Sequence, residues 1–102
     1  MKYFFCKLIP PRPTFMLDMT PDERAVMGQH VAYWSDLMKQ KKALAFGPVA
    51  DPQGSYGIGI MAASDDAEME TLRANDPTVK ANAGFRFEAL PMLQLMSPLA
   101  SQ

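Results

Sequence analysis

A chain of 102 residues, 48% of them hydrophobic and 21% charged, is long enough for one small core and too apolar to stay disordered. Ten Lys and Arg against eleven Asp and Glu give a formal net charge of -1 with no basic block, which argues against nucleic acid as a partner. The lone Cys6 excludes an internal disulfide framework, and no apolar run approaches the roughly eighteen residues of a membrane-spanning helix, so a soluble cytoplasmic protein is expected.

Lys2 to Ile9 (KYFFCKLI) is apolar on both alternating faces and reads as a strand covered on two sides. Pro10, Pro11 and Pro13 end it. The segment PPRPTFMLDM is expected to be an irregular surface loop able to act as a lid, because three prolines remove donors and fix the backbone. Thr20, Pro21 and Glu23 then carry a helix start: Thr20 as N-cap, Pro21 at the first helical position, Glu23 completing a capping box. The helix is predicted to run to about Lys41. At 100° per residue Val26, Met27, His30, Tyr33, Trp34, Leu37 and Met38 share its apolar face, with the only histidine of the chain in the middle.

Ala43 to Val49 and Ser55 to Ala63 are predicted strands joined by the turn signal Asp51-Pro52-Gln53-Gly54. In the second of them Gly57, Gly59, Met61 and Ala63 share one face, which is nearly bare at its start. Either another element packs on the glycines or a ligand cavity lies there. A second helix is predicted from Ser64 or Asp65 to near Asn75, with capping-box spacing between Asp65 and Glu68. Asp76 is placed to cap one further turn opened by Pro77. Ala83 to Leu90 alternates as a last strand, Pro91 ends it, and the tail 92–102 is either loose or laid on a partner.

The order strand, helix, strand, strand, helix, strand is that of an α+β, ferredoxin-like β-α-β-β-α-β unit: a four-stranded antiparallel sheet with both helices on one face. The opposite face is left uncovered, and in so apolar a chain, with nine methionines, two protomers are expected to join through it.

The segments FMLDMTPDE, HVAYWSDL, FGPVADPQGSYGIGI, ANDPTVKANAGFRFE and LPM together resemble the YciI-like proteins, the YCII-related domain family of the dimeric α/β barrel superfamily. The resemblance spans nearly the whole chain as one domain. It implies a ferredoxin-like protomer, a homodimer joined through its sheets, and an active site that pairs the helix histidine, here His30, with the aspartate of the DP motif, here Asp76. The tail after Pro91 matches no motif.

An imidazole exchanges protons near neutral pH, and a carboxylate on its far nitrogen fixes the tautomer. His30 and Asp76 would then serve acid-base chemistry of the isomerase or lyase type on a small molecule. The alternative is a non-catalytic dimer that binds a metabolite or supports a partner, with His30 a satisfied core residue. Asp51, in an identical Asp-Pro dipeptide, competes with Asp76 as the partner of His30. Tyr33 and Trp34 flank His30 at helical spacing and are candidates for substrate contact. Arg12 and Arg86 are candidates for an anionic substrate, each with ion pairing to Asp or Glu as its other reading. Cys6 is expected to be a buried thiol. One histidine with scattered carboxylates forms no metal-ligand cluster, and Gly-Ile-Gly in a hairpin strand is no dinucleotide fingerprint, so neither metal nor cofactor is expected.

Overall fold

The computed structural model describes residues 1–100. Its elements run β1 (Lys2–Ile9), α1 (Phe15–Asp18), α2 (Pro21–Lys39), β2 (Ala43–Val49), β3 (Tyr56–Ala63), α3 (Asp66–Ala74), α4 (Pro77–Lys80) and β4 (Arg86–Pro91). The strands form one sheet in the order β2-β3-β1-β4. β3 pairs antiparallel with both β1 and β2, and β4 pairs antiparallel with β1. Two strands that are each antiparallel to the one between them run the same way, so β1 and β2 with α2 form the split β-α-β unit of the ferredoxin-like fold.

Register decides which side chains meet the helices. Phe4 stands opposite Met61, and Leu8 opposite both Gly57 and Phe87, so these residues share one face of the sheet. On that face Phe4, Cys6, Leu8, Met61 and Phe87 pack with Trp34 and Leu37 of α2 and Met69 and Leu72 of α3. Both long helices therefore cover the same side. The opposite side carries Phe5, Lys7, Ile58, Ile60 and Leu90.

Local chemistry sets the ends of the elements. The Thr20 hydroxyl accepts from the Glu23 N–H at 3.2 Å while the Glu23 carboxylate accepts from the Thr20 N–H at 2.8 Å, closing the expected capping box. α2 stops at Lys39, two residues before the expected end, and Lys41 takes a left-handed conformation (φ 61°) that turns the chain into β2. At α3 the Asp65 side chain accepts from the Glu68 N–H, but Glu68 reaches back to the Ser64 N–H, one residue earlier than a capping box requires. β4 begins three residues later than expected, at Arg86, because Asn82 (φ 49°) and Gly84 (φ 91°) bend the chain away from extended geometry.

The proline-rich segment departs from the expected irregular loop. Phe15–Asp18 forms a helical turn, in which the Leu17 and Asp18 N–H groups donate to the Thr14 carbonyl. The prolines all precede this turn, so none removes a donor it needs. Phe15 is buried and meets the edge of the Phe85 ring with centroids 5.3 Å apart, which draws the turn into the core. After β4 the chain stays in contact only briefly: Met92 N–H donates to the Tyr3 carbonyl, whereas Leu93, Met96 and Leu99 are exposed. Residues 101 and 102 of the tail lie outside the described residues. No helix among the described residues is long and apolar enough to cross a membrane.

Candidate active site

α2 and the start of α4 deliver the two central groups. His30 sits midway along α2 on its buried face, and Asp76 is the N-cap of α4, where its carboxylate accepts the Thr78 N–H at 2.9 Å. His30 Nδ1 lies 3.0 Å from both Asp76 oxygens. Asp51 is not the partner: it accepts the Gln53 N–H in the hairpin turn at 2.8 Å.

Asp76 is fully buried, and its two oxygens are divided among donors. Oδ1 accepts from the Thr78 N–H and from the Thr78 hydroxyl at 2.7 Å. Oδ2 accepts from the Trp34 indole N–H at 2.8 Å. Burial, the largest single influence, would push this carboxyl up, but the bond to His30, its charge and the Thr78 donors together outweigh it and hold the carboxyl below its usual range. Each oxygen thus already receives a donor that can only donate, so the imidazole Nδ1 meets an acceptor and carries its proton. In a neutral imidazole the lone pair is then on Nε2. That nitrogen has no hydrogen-bond partner among the described residues and is not sealed from solvent.

A cavity of about 270 Å³ opens beside His30, between α1, α2 and the ends of β2 and β3. Trp34, Phe46, Phe87, Met16, Met19 and Met27 furnish much of its wall. The Trp34 ring lies against Phe46 at 5.5 Å and is stacked near Phe87 at 6.4 Å, while Phe46 turns its plane at 89° to the imidazole. Trp34 therefore joins wall and dyad in one side chain.

The bare strand face meets a packed ring at one glycine and more open space at the other. A Cβ on Gly59 would lie 2.5 Å from the Trp34 ring, so the indole fills that space; a Cβ on Gly57 would make only an ordinary 3.5 Å contact with Leu8. Both glycines line the cavity. Tyr33 is directed elsewhere: its hydroxyl donates to the Leu72 carbonyl at 2.7 Å, and burial, aided by the Asp76 charge, pushes its pKa up to about 12. Arg12 also lies outside the cavity lining. It forms a bidentate pair with Glu23 at 2.8 Å and donates to the Asp18 side chain at 2.8 Å, and this bonding lowers Glu23 to about 2. Arg86 faces Glu88 at 3.6 Å on the exposed sheet face. Cys6 is buried, which pushes its thiol up to about 12, as does the charge of Asp76.

No sequence motif marks Thr78 by itself, although Asp-Pro-Thr places a hydroxyl and an N–H two residues past a capping aspartate. The cavity-facing Met16 and Met19 were hidden for another reason. Their segment reads as loop, and the buried Phe15 anchors the helical turn that carries them. Among the described residues no group of three His, Cys, Asp or Glu side chains gathers where a metal ion could be held.

The model of the YCII-related domain family matches residues 3–93, and the chain belongs to that family. No curated protein matches it. Among solved structures the chain is similar to the 5-chloro-2-hydroxyhydroquinone dehydrochlorinase of Burkholderia phenoliruptrix, determined in complex with 2,5-dihydroxybenzoquinone. The two share 22% identity over 83% of this chain and 90% of that one, with a TM-score of 0.55, a likeness of fold.

Proposed function

We propose that this member of the YCII-related domain family is a small-molecule enzyme in which His30, oriented by Asp76, moves a proton in an isomerisation or elimination that needs no cofactor. The observation that carries the reading is the division of the imidazole: Nδ1 is held by a buried carboxylate, and Nε2 is left without a partner beside a cavity. As general base, Nε2 accepts an acidic proton from the substrate and Asp76 stabilises the imidazolium that forms; in an isomerisation the same proton is returned to the rearranged product, and in an elimination the leaving group departs with its bonding electron pair and the proton passes to solvent. His30 is the catalytic residue and Asp76 positions it. Trp34, Gly57 and Gly59 are assigned to the substrate wall. The structurally similar dehydrochlorinase supports the class of reaction, since loss of hydrogen chloride is an elimination that proton removal can begin.

The outer sheet face, with Leu90 60% and Ile58 37% exposed, is the surface through which two protomers would join. The test of the function is turnover of small ring compounds with a halogen or carbonyl beside an acidic proton. His30→Gln is expected to lower kcat by about 10²–10⁴, the usual worth of a general base. Undiminished turnover in that variant ends the assignment of His30 as the catalytic base. Binding at Trp34 without turnover of any compound would leave a metabolite-binding module instead.

A further inference from the structure

We propose that the cavity beside His30 takes small uncharged cyclic molecules that present a hydroxyl or an acidic C–H to Nε2, such as phenols and cyclic enones, and rejects carboxylates and phosphates. This rests on reading the cavity as the active site and narrows it to a substrate class.

The first ground is charge. No Lys, Arg, Asp or Glu lines the cavity among the described residues. Arg12, the cation of the neighbouring loop, is engaged by Glu23 and Asp18. Lys7 sits 4.5 Å from the Tyr56 ring centroid, on the sheet face away from the helices. The fixed charge closest to hand is the buried Asp76 carboxylate, which disfavours a second anion. Beside a neutral His30 an entering carboxylate would lose its hydration and gain no counter-ion, a cost that a neutral ring avoids.

The second ground is the wall. The rings of Trp34 and Phe46 and the thioethers of Met16, Met19 and Met27 give flat and deformable apolar surfaces, which suit the face and edge of an unsaturated ring. An apolar cavity of about 150 Å³ already holds benzene. One of about 270 Å³ therefore has room for a single ring with a few small substituents. The third ground is the hydrogen bond on offer: with Nδ1 donating to Asp76, a neutral His30 presents an acceptor to the cavity, so the ligand must supply the donor.

Trp34 is the one tryptophan of the chain and lines the cavity, so its indole N–H resonance reports occupancy without turnover. The protein is titrated at neutral pH with 4-methylphenol and with 4-hydroxybenzoate, which differ in whether the ring carries a methyl or a carboxylate. The first is expected to shift the resonance saturably and the second to bind at least tenfold more weakly. Met16→Lys, a change at a half-exposed wall residue, is expected to narrow that gap by supplying a cation. Equal or tighter binding of the carboxylate to the unaltered protein overturns the proposal, as does a resonance that neither compound moves or a gap that Met16→Lys leaves unchanged. Because the readout is binding, this proposal can fail while His30→Gln still lowers kcat, and the converse holds equally.

Discussion

Two glycines on one face of β3 give a matched pair of substitutions with opposite expected outcomes. At Gly59 a new Cβ would stand 2.5 Å and 2.6 Å from two carbons of the Trp34 ring and 3.1 Å from the Ala45 carbonyl oxygen. To restore an ordinary contact the indole must retreat by roughly 1 Å, and close packing leaves little room for that. Phe46 lies 5.5 Å from it and Phe87 6.4 Å, and its N–H is tied to Asp76. Gly59→Ala is therefore expected to lower stability by about 1–3 kcal/mol, the typical cost of overpacking a core. Gly57→Ala meets only Leu8 at 3.5 Å and is expected to be neutral or to stabilise by up to about 1 kcal/mol through loss of unfolded-state freedom. Urea unfolding followed by circular dichroism gives both values on one scale. A Gly59→Ala protein with the midpoint of Gly57→Ala would refute the account of how Trp34 is seated.

Asp76→Asn replaces an acceptor-only group with one that turns a donor toward Trp34, Thr78 or His30, and should cost about 2–4 kcal/mol for a charge-assisted bond lost and a buried donor left unmatched. Because the folded state holds the Asp76 carboxyl below its usual range, its contribution is present above the unfolded-state value and is lost as pH falls through the lower folded one. The parent should thus lose stability more steeply than Asp76→Asn below about pH 4, close to the unfolded-state value for Asp, in acid unfolding curves. Arg12→Met should speed hydrogen exchange at the Leu17 and Asp18 amides, and should remove any salt dependence of that exchange, since the guanidinium links the turn to the start of α2. The Cys6 thiol, buried and pushed up to about 12, should resist a disulfide reagent at pH 8 until the chain unfolds.

The sequence was most legible where a local rule acts alone. Thr20 and Glu23 close the capping box they spell, Asp76 caps the turn opened by Pro77, and Cys6, in step with Phe4 and Leu8 along β1, is buried with them as expected. The position of His30 on the apolar face of α2 was also readable from helical spacing. That Asp76 and not Asp51 meets it was implied by the family resemblance and not by spacing, because both precede proline and only the packing of α4 against α2 distinguishes them. Residue chemistry alone also left the surroundings open between two readings. Arg12 has the guanidinium an anion would want, yet Glu23, eleven residues on, is brought next to it by the turn at Phe15–Asp18. Tyr33 has a hydroxyl near the histidine in sequence, but the side chain follows the helix to α3 and ends on the Leu72 carbonyl.

The imidazole tautomer tests the central claim most directly, and the single histidine makes the assignment unambiguous. Long-range proton–nitrogen correlation of the neutral ring should show the proton on Nδ1, bonded to Asp76, and an unprotonated Nε2 toward the cavity. A proton on Nε2 instead, with Nδ1 bare against the carboxylate, would contradict the dyad and remove the base from the proposed reaction.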